Sequence, residues 1–212
     1  MDKFWEIKSK AENTVDLLIY GDIMDESWNE DAVVPKKINE ELNELGDVDK
    51  INLKINSYGG SVFAAQSIFS MLKRYDAEID TYIDGIAASA ASVIAMVGKN
   101  IFIPKNAMLM IHNPWTYAQG NADDFRKLAD DLDKMRDSII STYQEQTNLS
   151  KNKIIEFMDE ETFFTAEEAV EYGFATEVED REVNASISNN SLVMNSVKFD
   201  MDKFDNIPDK VV

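Results

Sequence analysis

The sequence predicts a layered α/β domain built on a largely parallel sheet. Short apolar stretches of strand length alternate with stretches whose apolar residues recur at helical spacing. Most of these stretches stop at Gly, Asn or Asp, residues that interrupt regular structure. Hydrophobic residues make up 44% of the 212, enough for one large core.

The elements follow in order. Val15 to Tyr20 reads as a strand closed by Gly21-Asp22. Pro35 to Leu45 reads as a helix, with Ile38, Leu42 and Leu45 on one face. Ile51 to Ile55 alternates apolar and polar residues, as a strand does, and Asn56 to Gly60 reads as a turn. Ser61 to Tyr75 reads as a helix. Glu78 to Ile83 is the next strand, stopped by Asp84-Gly85. Ile86 to Val97 carries no charge and is small or apolar throughout, which predicts a helix buried on every side. Ile101 to Ile103 and Met108 to Ile111 read as two short strands.

A different pattern follows. From Asp123 to Tyr143 the apolar residues keep helical spacing, with Asn121 as the cap and Asp123 and Asp124 near the positive end of the helix dipole. The pattern leaves two readings open, a helix lying on its own core or one projecting to a neighbouring subunit. Lys151 to Asp159 and Ala166 to Tyr172 read as short helices, the second ended by Gly173, and Phe174 to Val178 as a last strand. Past residue 183 the chain is rich in Asn and Ser and weakly patterned, so residues 183–212 are expected to form an extension outside a single 1–182 domain.

Composition excludes several function classes. With no cysteine, neither a disulfide, a thiol nucleophile nor a thiolate metal site is available. The net charge of −19 comes from 40 acidic and 21 basic residues and opposes binding to nucleic acid or to anionic membranes. A solvated surface accounts for that charge; a preference for basic substrates or partners is the sharper reading. No apolar run reaches the ~18–20 residues that span a bilayer, and a charge interrupts the start of the chain before any signal-peptide core forms. The expectation is a soluble, cytoplasmic protein.

Chemistry concentrates at four places. His112 is the single histidine, so any imidazole chemistry falls to it; it ends the apolar run Met108-Leu109-Met110-Ile111, where α/β folds place functional groups. Taken alone, such a residue is more often a satisfied histidine at a strand end. Ser89 lies among small residues in Gly85-Ile86-Ala87-Ala88-Ser89-Ala90-Ala91-Ser92. A nucleophile on a tight strand-to-helix turn needs such neighbours so that substrate backbone can approach, and the helix start beyond it offers N–H groups to an oxyanion. Small residues also permit plain close packing, and Ser92, one turn further on, is a rival for the role. Gly59-Gly60 is a candidate second oxyanion donor, because paired glycines let amides turn inward. The acid partner is sought in Asp159-Glu160-Glu161, a cluster that also fits a solvated loop.

Together these segments resemble the Clp proteolytic-subunit family, ClpP, over about residues 15–180. Ile55-Asn56-Ser57-Tyr58-Gly59-Gly60 looks like its Asn-Ser-Pro-Gly-Gly loop, Asp84 to Ala90 like its nucleophile segment, and Met110-Ile111-His112-Asn113-Pro114 like its histidine segment. Phe164 to Gly173 looks like the stretch after its catalytic acid. The resemblance implies the ClpP/crotonase-like fold with repeated ββα units and a handle helix at about 121–147. It implies a serine endopeptidase with Ser89 as nucleophile, His112 as general base and Glu161 as acid, Asp159 being the fallback. It implies backbone N–H groups of Gly59 and Ala90 as the oxyanion hole, with no metal and no cofactor.

The implied partners are a polypeptide substrate and further copies of the chain, in a heptameric ring and a stack of two rings. Three departures stand out: Tyr58 replaces Pro, Glu161 stands where the family has Asp, and the segment with Phe4, Trp5 and Trp28 lacks the axial-loop pattern of housekeeping members. The amino-terminal segment and the Glu161-Thr162-Phe163 run look like the prophage branch, associated with maturation of phage head proteins. The requirement for an ATP-driven unfoldase stays open. Two other classes compete: acyl-thioester chemistry on a crotonase fold, and an inactive assembly scaffold.

Overall fold

The computed structural model describes residues 5–9, 13–26, 32–188, 191–194 and 197–200. Phe4 and Trp28 lie outside them, as do residues 201–212 of the expected extension. The chain opens with β1 (Trp5–Ser9), which was not expected, antiparallel to β2 (Thr14–Tyr20). Then come α1 (Pro35–Leu45), β3 (Lys50–Ser57), α2 (Val62–Arg74), β4 (Glu78–Ala88), α3 (Ala90–Ala95), β5 (Asn100–Pro104) and β6 (Met108–Ile111). They are followed by α4 (Ala122–Gln146), α5 (Lys151–Asp159), β7 (Thr162–Phe164), α6 (Ala166–Glu171) and β8 (Glu177–Glu179). The sheet runs β1-β2-β3-β4-β5-β8, parallel from β2 onward. Leu17, Ile19, Ile51, Leu53 and Ile55 of β2 and β3 pack with Ile38 of α1 and Ile68 of α2 in one core.

The sheet forks at β4, and the fork positions the site. The first half of β4 pairs through Asp80–Tyr82 with β5, and its last residues, Ile86–Ala88, pair with β6. The β3–β4 register shifts between Ile55 and Ser57, where the sheet bends to follow the fork. The ends of β3, β4 and β6 thus converge at one edge. β7, also unexpected, adds antiparallel to β6 and brings the chain after α5 to the same edge.

Three expectations are corrected here. Asp84-Gly85 does not end β4, because the Asp84 carboxylate is satisfied sideways: it accepts from Tyr20 Oη at 2.6 Å and from Arg181 Nη2 at 2.6 Å. The helix expected over 86–97 begins only at Ala90, since Ile86–Ala88 are strand. The last strand also moves, from 174–178 to Glu177–Glu179.

The caps are local and legible. Ser61 accepts from the Ala64 N–H, Asn121 and Asp124 form a capping box at the start of α4, and Thr165 and Glu168 another at α6. Only Ile139, Ile140, Thr142 and Tyr143 of α4 are buried, all near its C-terminal end, while residues 122–127 are exposed on every side. Beyond the domain, where a weakly patterned extension was expected, β9 (Ala185–Ser188), β10 (Ser191–Met194) and β11 (Val197–Asp200) form a separate antiparallel meander. Its approach is tied down by Asn106, whose side chain donates to Val183 O and accepts from Val183 N, each at 2.8 Å.

Candidate active site

Ser89 occupies the sharp junction between β4 and α3, at φ 53° and ψ −126°. A positive φ at a non-glycine residue stores strain and turns the side chain outward. The junction is held from three sides. Ser89 N–H donates to Met110 O at 2.9 Å, and Ser89 O accepts from Ser92 N–H at 3.0 Å and from Ser92 Oγ at 2.6 Å. The hydroxyl proton of Ser92 therefore goes to Ser89 O. Since Ser92 Oγ also lies 2.8 Å from Tyr143 Oη, Tyr143 must be the donor in that pair. Ser92, the rival nucleophile, is fully buried and committed to holding the elbow. Tyr143 was not foreseen as part of the site; its helical spacing marks it as core, which it also is.

Pairing of Ala88 with Met110 places the two following segments side by side. His112 Nε2 lies 2.7 Å from Ser89 Oγ. On its other edge, His112 Nδ1 lies 3.4 Å from Glu161 Oε2. An Nδ1–H facing the carboxylate leaves Nε2 bare to accept the Ser89 hydroxyl, and the hydrogen-bond partners assign that tautomer. Burial pushes the His112 pKa below its ordinary value, and the Glu161 carboxylate pulls part of the way back by charge and hydrogen bonding. The imidazole is therefore neutral, and able to act as a base, at neutral pH.

Glu161 sits between α5 and β7 with φ 48°, a turn that aims it at the imidazole. Asp159 does something else: its Oδ1 accepts from Asn113 Nδ2 at 2.8 Å and lies 3.9 Å from Arg136 Nη1. Of the two candidate acids, Glu161 is the one brought to His112.

Gly59 lets the β3 turn press against the elbow. At φ +94°, a Cβ there would sit 2.6 Å from Ala90 N and 2.7 Å from Ala88 O. The two candidate oxyanion segments are in contact, but the Gly59 N–H itself is engaged, donating to Ser57 Oγ at 3.0 Å. Gly60 N–H has no acceptor among the described residues, and the turn is clamped from outside by Ile23, whose N–H donates to Gly59 O and whose O accepts from Ser61 N–H, each at 2.8 Å. Ala90 N–H opens α3 and has no intrahelical partner.

An open cleft runs past Ser89, walled by Met24, Tyr58, Trp115 and Tyr117 and flanked by Asp22 and Asp159. Tyr58, standing where the family pattern has Pro, thus forms part of the cleft wall, and burial raises its phenol pKa so that it stays neutral. Among the described residues no group of three or more His, Asp or Glu side chains could hold a metal ion, and no helix is long and apolar enough to cross a membrane.

The sequence matches the family model described as Clp protease over residues 7–182. A curated relative, the ATP-dependent Clp protease proteolytic subunit of Deinococcus radiodurans, is 32% identical over 143 residues, covering 66% of this chain and 70% of the relative. The matched span includes the forked sheet, the elbow and the long α4, so sequence and architecture agree that the chain belongs to the Clp protease family.

Proposed function

We propose that the chain is a serine endopeptidase with Ser89, His112 and Glu161 as its triad. The 2.7 Å contact between His112 Nε2 and Ser89 Oγ, with a carboxylate behind the ring, carries this reading. His112 takes the Ser89 proton as Oγ bonds to the scissile carbonyl carbon. Negative charge moves to the carbonyl oxygen, facing the Ala90 N–H and the Gly59-Gly60 turn. Because Gly59 N–H is held by Ser57, Gly60 N–H is the better second donor. His112 then gives its proton to the departing amine as the C–N bond breaks. Water, deprotonated by His112, then attacks the acyl carbon, and His112 returns that proton to Ser89 Oγ as the acyl C–O bond breaks.

The protein works as a homo-oligomer, a heptameric ring stacked on a second ring through α4, whose exposed first half supports such a contact. Its substrate is a polypeptide, a phage capsid or scaffold protein in the prophage reading that the Glu161-Thr162-Phe163 run favours. A second reading, a proteolytic subunit working with an ATP-driven partner, is favoured by the printed name of the Deinococcus relative. Hydrolysis of an unfolded protein such as casein by wild type and Ser89→Ala tests the shared core of both. The variant should lose on the order of 10³-fold or more in rate; equal rates would remove Ser89 from the reaction.

A further inference from the structure

Ser89 and His112 follow different strands, so the distance between them depends on how β6 and the end of β4 open away from β5. Asp84 lies at that opening, between Tyr82, the last residue of β4 paired with β5, and Ile86, the first paired with β6. One short stretch of chain is fastened to both sides of the opening. This strap, residues 179–183, leaves β8 at Glu179, opposite Pro104 at the end of β5. Arg181 reaches back across the sheet: its Nη2 donates to Asp84 Oδ1 at 2.6 Å and its Nε to Glu179 Oε2 at 2.7 Å. Two residues on, the Asn106 side chain holds both the N–H and the O of Val183, each at 2.8 Å, and Asn106 lies in the turn that leads from β5 into β6.

The strap thus ties together the strand that ends in Ser89 and the turn that starts the strand ending at His112. Its anchor in β4 is firm. Asp84 is only 6% exposed, and a carboxylate so placed is costly to leave without its cation. Tyr20 Oη, donating to Asp84 Oδ2 at 2.6 Å, fixes the other carboxylate oxygen against β2. The pairing that brings the catalytic strands together is short, Ile86–Ala88 with Met108–Met110. The 2.7 Å contact it has to deliver is exacting, since a misplacement of about 1 Å can cost on the order of 10²-fold in rate. Resting on the peptidase reading, we propose that Arg181 and Asn106 are positioning residues for the reaction, and that the strap holds the fork at the opening where Ser89 Oγ meets His112 Nε2. Neither residue lines the cleft, so each acts through the strands it fastens.

The experiment measures kcat and KM on casein and, separately, the rate at which a fluorophosphonate labels Ser89, because labelling needs the Ser89–His112 contact but no extended substrate. Arg181→Ala should lower kcat and the labelling rate together by at least about tenfold, with KM within about twofold, at a temperature where the variant stays folded. Asn106→Ala cuts the other fastening, at an exposed residue, and should lower both rates several-fold. It keeps the test alive if Arg181→Ala does not fold. Asp84→Asn combined with Arg181→Ala removes the stranded carboxylate, so the Tm should recover while both rates stay low, a split that a merely stabilising ion pair would not give. Lys99→Gln breaks an exposed pair with Glu78 at the far end of β4 and should leave both rates unchanged. A folded Arg181→Ala or Asn106→Ala that works at the wild-type rate overturns the proposal. So does a double variant that regains stability and rate together, or a Lys99→Gln variant as slow as Arg181→Ala. If wild type and Ser89→Ala treat casein alike, the peptidase reading itself fails, and the positioning roles with it.

Discussion

Ser89, His112 and Glu161 form a chain in which each contact sets the state of the next. Burial lowers the His112 pKa and Glu161 raises it, with burial the larger influence. Hydrolysis needs the neutral imidazole, so the acid limb of kcat/KM should lie below the ordinary histidine value of about 6.5. Glu161→Gln removes the raising influence. The His112 pKa should then fall further and the limb should move to lower pH, while the rate drops on the order of 10²–10⁴-fold because the tautomer is no longer fixed. A pH–rate profile of both proteins checks this, and a limb that moves to higher pH would contradict the assigned balance. At this scale the site was partly legible. Small neighbours made Ser89 a candidate with Ser92 as its rival, and His112 stood out only as the single histidine, while Glu161 was distinguished from Asp159 only by the resemblance, since acidic residues are everywhere in the chain. Which amide of Gly59-Gly60 is free depends on the Ser57 hydroxyl, a contact no spacing rule encodes.

The β4–α3 junction shows why one element was misread. Every residue from Ile86 to Ala88 is buried, as is every residue from Ala90 to Ala95, so neither the strand period nor the helix period leaves a polar mark. The break falls at Ser89, where the relay Tyr143 Oη–H to Ser92 Oγ–H to Ser89 O holds a positive φ in place. Tyr143→Phe removes the first donor and leaves Ser92 with its other partner. It should lower unfolding free energy by about 1 kcal/mol in urea titration and reduce kcat by less than about tenfold. A loss of activity approaching that of Ser89→Ala would instead place Tyr143 in the chemistry. By contrast α1 and α5 match their expected bounds, because amphipathic spacing marks both, with Pro35 in the first turn of α1 and the Ser150 cap before α5.

Across the whole molecule, the exposed first half of α4 and the net charge of −19 pull in opposite directions. Phe125 remains 49% exposed on a helix whose other end is firmly packed, which fits a face kept for another copy. Assembly of such acidic subunits has to overcome mutual repulsion, so it should strengthen with salt, which screens charge over about 10 Å at 0.1 M. Phe125→Asp should shift sedimentation toward smaller species at every ionic strength; unchanged oligomers would move the contact elsewhere. The parallel architecture was readable from alternating element types, whereas the fork was not, because it arises from one strand serving two partners. The C-terminal meander was missed for a related reason: its strands are four residues each and pair only with one another.

The central claim is that Ser89 is an activated nucleophile, and fluorophosphonate labelling of the intact protein, read by mass spectrometry, tests it most directly. The account predicts a single covalent adduct on wild type and none on Ser89→Ala. An unlabelled wild type in its assembled form, or equal labelling of the Ser89→Ala variant, would contradict it.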